Sequence, residues 1–176
     1  MKRIFISSVQ KEFAQERAAL RDYLLSDPLL RRFFEVFVFE DLPASDRRSD
    51  QVYLDEVAAC DIYLGLFGND YGVEDAHGIS PTEQEFNCAT ELQKPRRIYV
   101  KGASDQDKHA SMRALIARAS NELIRRRFTD SASLFPAVYA SLVDYLQEHE
   151  LLRVTPFDAS VCRDASRRPL GPYPLR

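Results

Sequence analysis

Apolar positions along this chain follow two alternating rhythms. Short continuous runs of branched and aromatic residues read as buried strands at Arg3–Ser7, Glu35–Phe39, Asp61–Phe67 and Arg97–Val100. Between them, apolar residues recur every three or four positions, the period of a helix with one buried face. The spacing of Phe13, Leu20 and Leu24 predicts a helix from Gln10 to Leu25, stopped at Asp27-Pro28 because proline disfavours helix in the residue before it. A second helix is expected from a cap at Ser49 or Asp50 to Ala59. The third opens at Ser80-Pro81-Thr82-Glu83 and ends near Leu92, before Lys94-Pro95. Serine at the cap, proline in the first turn and glutamate three residues on predict a capping box. In it the Ser80 hydroxyl accepts from the Glu83 N–H, and Glu83 reaches back to Ser80. His109–Ala119 reads as a fourth helix and Leu123–Phe128 as an arginine-rich edge strand. A last helix is expected from Asp130 or Ser131 to Glu150, with Val138, Leu142 and Leu146 inward.

Strand and helix in strict alternation predict an α/β fold of three layers. The expectation is a flavodoxin-like, mainly parallel sheet of four to five strands in the neighbour order 2-1-3-4, with helices on both faces. Residues 1–152 form this domain. The stretch 153–176 carries Pro156, Pro169, Pro172 and Pro174 without periodicity. It reads as an irregular tail or linker toward a further C-terminal region.

Composition narrows the classes. Of 176 residues, 45% are hydrophobic, enough for a packed core and too many for a disordered chain. The formal net charge is −3 and the arginines come as scattered short runs, which gives no clear nucleic-acid surface. Cys60, Cys88 and Cys162 lack metal-ligand spacing, so no metal is expected and the thiols read as reduced. No apolar run approaches the ~20 residues of a bilayer span, so no membrane partner is expected and a cytoplasmic location follows. A glycine-rich phosphate loop ending in lysine and a dinucleotide fingerprint are both missing, which argues against ATP hydrolysis and hydride transfer and leaves no cofactor evident.

In open α/β sheets ligands bind beyond the carboxyl ends of the strands. That edge gathers Ser7 and Ser8, then Asp41, then Asn69, Asp70 and Tyr71, and the helix start at Ser80. Helix N-termini there suit an anionic or hydroxyl-rich ligand such as a nucleotide or NAD. Each residue also has a plainer use: serines cap turns, and Asn and Asp build them. Glu83 is accounted for by the capping box. Glu85, two residues on, is not, and from local pattern it reads first as a surface glutamate near a helix N-terminus. Asp61, at the opposite edge, reads as structural. His77 has no nucleophile paired with it, and His109 and His149 read as surface residues.

Three stretches carry a resemblance. They are Ile4-Phe5-Ile6-Ser7-Ser8-Val9 with Glu12 and Glu16-Arg17, the run Cys60 to Gly72, and Ile79 to Phe86 continuing to Lys94-Pro95. Together they resemble the family catalogued as domain of unknown function 4062, over roughly Lys2 to Glu150. That family is similar to TIR domains, whose first strand reads much like Phe5-Ile6-Ser7. It is also similar to nucleoside deoxyribosyltransferases, whose catalytic glutamate precedes an alanine and a Lys-Pro pair at the interval that Glu85, Ala89 and Lys94-Pro95 reproduce. Both groups cleave N-glycosidic bonds, so the resemblance implies a catalytic role for Glu85. The tryptophan that TIR domains usually carry before that glutamate is missing. Family members are often N-terminal modules of larger proteins, some with ATPase- or helicase-like regions.

Two functions follow. One is a TIR-like signalling or interaction module that self-associates or docks to another protein domain. The other is an enzyme that breaks the bond between ribose and base in a nucleotide or NAD. The module is placed first, because the pocket residues have structural alternatives.

Overall fold

The computed structural model describes residues 1–38 and 49–152. Five strands form one sheet: β1 (Lys2–Ser8), β2 (Phe34–Phe37), β3 (Ile62–Phe67), β4 (Arg96–Lys101) and β5 (Arg125–Phe128). The order is β2-β1-β3-β4-β5, and every pairing is parallel. The α/β fold and the neighbour order read from the sequence hold. Five α-helices join the strands: α1 (Gln10–Ser26), α2 (Ser49–Ala59), α3 (Pro81–Glu91), α4 (Ala110–Glu122) and α5 (Ser131–Glu148). A 3-10 turn, Leu30–Arg32, leads into β2.

The differences from the sequence reading lie at element ends. Strand β2 begins one residue earlier than expected, and its partner register with β1 runs only from Lys2↔Phe34 to Phe5↔Phe37. Strand β5 begins at Arg125 rather than Leu123, because α4 carries on to Glu122. Residues 39–48, which include the expected end of β2 at Phe39, and the tail from residue 153 lie outside the described residues.

Strand β3 is buried along its whole length, as a central parallel strand must be. On one face Phe5, Tyr63, Phe67, Ile98 and Val100 meet Val57 of α2, Phe86 and Ala89 of α3, and Met112, Leu115 and Ile116 of α4. The residues of alternate parity, among them Ile4, Ile6, Leu64 and Leu66, are equally buried on the other. At the amino edge Asp61 takes the Lys2 ammonium at 2.9 Å and the Arg3 N–H at 2.8 Å, which is the structural role expected of it.

The chain divides into two compact units. Met1–Leu142 holds the whole sheet, and the second begins at Val143. In the second, the His149 ring stacks on Tyr145 at 4.0 Å. Among the described residues no helix is long and apolar enough to cross a membrane.

Candidate active site

The chain runs from β1 outward to β2, then returns to lay β3 on the other side of β1. The carboxyl ends of β1 and β3 therefore flank a topological switch point, where an open α/β sheet leaves a crevice. A cavity of about 490 Å³ lies there. Its wall includes Ser8 at the end of β1, Val9 to Lys11 and Arg17 of the following segment, Tyr53 of α2, Asp70 to Val73 after β3, Pro81, Thr82 and Glu85 of α3, and His109 before α4.

Glu85 reaches this cavity because α3 starts where it does. Ser80 sits in extended backbone as the N-cap, and its hydroxyl accepts the Glu83 N–H at 3.3 Å. That half of the expected capping box forms. The other half does not: the Glu83 carboxylate accepts from the Tyr71 hydroxyl and pairs with Arg118 at 2.9 Å. Tyr71 lies in the long loop after β3, and a glutamate facing a buried phenol finds a better donor there than in its own cap. With Phe86 and Ala89 packed in the core, Glu85 is 5% exposed. It is not the surface glutamate that local pattern suggested.

Glu85 sits at the end of a directed chain of hydrogen bonds. Its Oε2 accepts from the Ser7 hydroxyl at 2.5 Å, and Ser7 Oγ accepts from the Tyr63 hydroxyl at 2.8 Å. A serine has one proton. Because Tyr63 donates to Ser7, the Ser7 proton is committed to Glu85 Oε2. Burial pushes the Glu85 carboxyl up to about 7, against the pull of the Ser7 donor and the Arg17 guanidinium, which favour the ionised form. Burial also raises the Tyr63 phenol well above its usual value, with the Glu85 charge adding to it, so Tyr63 stays protonated and keeps donating.

Arg17 is the cation behind this carboxylate. It is 4% exposed and its Nη1 donates to the Ile6 carbonyl at 3.0 Å and to Ser8 Oγ at 3.2 Å. The sequence reading quoted it only as part of the family resemblance and gave it no role in the site, although it occupies a place in the apolar stripe Phe13–Leu20–Leu24 of α1. An arginine in a core stripe needs a buried acceptor, and that was its signal.

The loop after β3 is fixed from outside the cavity. The Glu12 carboxylate accepts the N–H groups of Asn69 and Asp70, both at 2.9 Å. Asn69 Oδ1 accepts from Lys108 Nζ at 3.2 Å, and the Asn69 carbonyl accepts from the His109 N–H at 2.8 Å. Burial lowers the Lys108 ammonium. His109, expected to be a plain surface residue, is exposed but stacks on Tyr71, with ring centroids 5.6 Å apart and planes within 8°.

Of the residues named from sequence, Ser8, Asp70, Tyr71 and Glu85 line the cavity, and Ser7 stands directly behind Glu85. Asn69 and Ser80 serve the loop and the helix cap instead. Asp41 lies outside the described residues. Arg17, Tyr53, Tyr63, Thr82 and His109 were missed.

The family described as a domain of unknown function, DUF4062, matches residues 3–143. The chain belongs to that family. No curated protein matches its sequence. Among solved structures, this DUF4062 chain is similar to the CMP N-glycosidase of Clostridium botulinum, at 14% identity and a TM-score of 0.52, covering 80% of this chain and 99% of the other. It is also similar to a conserved protein from Enterococcus faecalis V583, at 13% identity and a TM-score of 0.46, covering 80% and 99%. At these identities the first likeness speaks to the fold, an α/β domain of matching extent.

Proposed function

We propose that this domain cleaves the N-glycosidic bond of a nucleotide, with Glu85 as the catalytic carboxylate. The observation that carries this reading is a single buried glutamate, tied through Ser7 and Tyr63, facing a cavity at the sheet's switch point. An interaction module needs no such group. Burying a carboxylate is costly unless function or pairing repays it, and among the described residues Glu85 has Ser7 as a hydrogen-bond partner but no ion pair at contact distance. The solved N-glycosidase of similar fold acts on CMP, a ligand of the class this cavity's volume suits.

The bond between C1′ and the base nitrogen breaks with its electron pair leaving on the base. Positive charge develops on C1′ and the ring oxygen. The Glu85 carboxylate, in a site largely shielded from water, stabilises that charge or attacks C1′. Water then supplies a hydroxyl to C1′ and a proton to the base. Ser7 holds Oε2, so Oε1 is the oxygen left for the substrate. Asp70, the other carboxylate in the wall, is exposed at the rim and can take sugar hydroxyls.

The test is base release from nucleoside 5′-monophosphates and from NAD, followed by chromatography. Wild type is expected to release base, and Glu85→Gln, which keeps the shape, to lose about a thousandfold or more of that rate while its circular dichroism is unchanged. Equal rates in the two proteins overturn the reading.

A further inference from the structure

Thr82 has a use that neither the cap nor the core explains. It is 3% exposed, lies in the cavity wall, and its hydroxyl has no hydrogen-bond partner among the described residues. The hydroxyl oxygen is not among the fully buried side-chain atoms that lack a hydrogen bond in the described residues, so it keeps some exposure. The cavity whose wall Thr82 forms is the space open to it. The Thr82 backbone amide likewise has no hydrogen bond among the described residues. In the first turn of α3, Pro81 has no N–H, the Glu83 N–H goes to Ser80 Oγ at 3.3 Å, and the Gln84 N–H goes to the Ser80 carbonyl at 2.9 Å. That leaves the Thr82 N–H at an eleven-residue helix's positive end.

Thr82 and Glu85 are three residues apart, so they share one face of α3, with Cβ atoms about 5–6 Å apart. Helical side chains lean toward the N-terminus, so the Glu85 carboxylate is carried back over the turn that holds Thr82. A ligand atom beside both must accept from the Thr82 N–H and tolerate a carboxylate. A phosphate would accept but would place like charges together. A hydroxyl accepts from the amide and can donate to Thr82 Oγ1 or to Glu85. Where Glu85 addresses C1′ of a sugar, the nearest hydroxyl is on the adjoining carbon.

Resting on the glycosidic reading of Glu85, we infer that the Thr82 hydroxyl and amide hold the 2′-hydroxyl of a ribose, so that the site takes ribonucleotides in preference to 2′-deoxyribonucleotides. A hydrogen bond to that hydroxyl strengthens as the glycosidic bond breaks, and a polar site left unpaired by the deoxy sugar discriminates against it.

The experiment compares kcat/KM on ribonucleoside 5′-monophosphates and on their 2′-deoxy counterparts. Wild type is expected to prefer the ribose form by at least about tenfold. Thr82→Val should collapse that ratio, and Thr82→Ser, which restores a hydroxyl, should keep most of it; melting curves of both variants report whether they fold. Base release without a sugar preference, or a Thr82→Val defect that scales both substrates equally, overturns the inference and leaves the role of Glu85 intact. If no nucleotide loses its base, the glycosidic reading falls. Calorimetric binding then decides the matter for Thr82. Ribose-selective binding that Thr82→Val abolishes upholds the subsite, and equal binding of both sugars overturns it.

Discussion

At the scale of single residues the controlling fact is where one proton sits. Burial raises the Glu85 carboxyl from 4.5 to about 7 in the folded protein. Between those two values the folded chain holds a proton that the unfolded chain has already released. Stability contributed by Glu85 is thus complete below about pH 4.5 and is lost as the pH rises through 7, by about 3 kcal/mol in all. Glu85→Gln binds no such proton, so its stability should be flat across that window and should exceed wild type above pH 7. Urea unfolding of both proteins at pH 5 and pH 8 checks this; parallel profiles would mean that Glu85 is solvated. Ser7→Ala removes the donor that favours the ionised form, so it should move the upper end of the window to higher pH. Tyr63 belongs to the same device. In a strand whose every residue is buried, a tyrosine hydroxyl has to find a partner, and it finds Ser7.

At the scale of elements, the first turn of α1 and the loop after β3 are joined by one side chain, that of Glu12. Helix α1 has a non-helical residue at Phe13 (φ −116°, ψ 18°), so its first turn stands apart from the rest. Glu12 lies in that first turn and its carboxylate bridges the amides of Asn69 and Asp70, just past β3. Gly68 makes the approach possible. A Cβ at Gly68 would stand 2.2 Å from both Glu12 carboxylate oxygens, a distance that only displacement of the carboxylate relieves. Gly68→Ala should therefore cost about 1–3 kcal/mol through two lost charge-assisted hydrogen bonds. In a Glu12→Ala background the same substitution should cost far less. A thermodynamic cycle with a coupling of about 1 kcal/mol or more supports the clamp; additive costs refute it. The sequence held only part of this. Glycine after a strand reads as a turn, and nothing local to Glu12 says that its partners lie more than fifty residues away. Ser7, Ser8, Asp70 and Tyr71 were legible because strand ends are easy to place. The reciprocal half of the capping box was misread because Glu83 had a distant competitor, Tyr71, for its oxygen.

At the scale of the whole molecule, the alternation of strand and helix was enough to give the sheet order, since short connections and parallel pairing leave few topologies. Burial of particular polar groups was not legible. Arg17, Tyr63 and Thr82 become functional candidates only when α1, β1, β3 and α3 are brought together. The same topology decides where the domain is most stable. Strands β1 and β3 are hydrogen-bonded on both sides, while β2 and β5 are four-residue edge strands paired on one side. Ser7 is on β1, Tyr63 is on β3, and α3 packs Phe86 and Ala89 onto the same core face. The candidate site is therefore built on the elements expected to open last, as a preorganised site requires. Native-state hydrogen exchange should find the amides of Ile4–Ile6 and Leu64–Leu66 among the slowest and near the global unfolding free energy. Those of β2 and β5 should exchange through smaller openings, and the loop between Gly72 and Ile79, whose residues are mostly exposed, should be faster still. A profile in which β5 outlasts β1 would mean that the stable nucleus lies away from Glu85, and that Ser7 and Tyr63 hold the carboxylate on a frame that opens early.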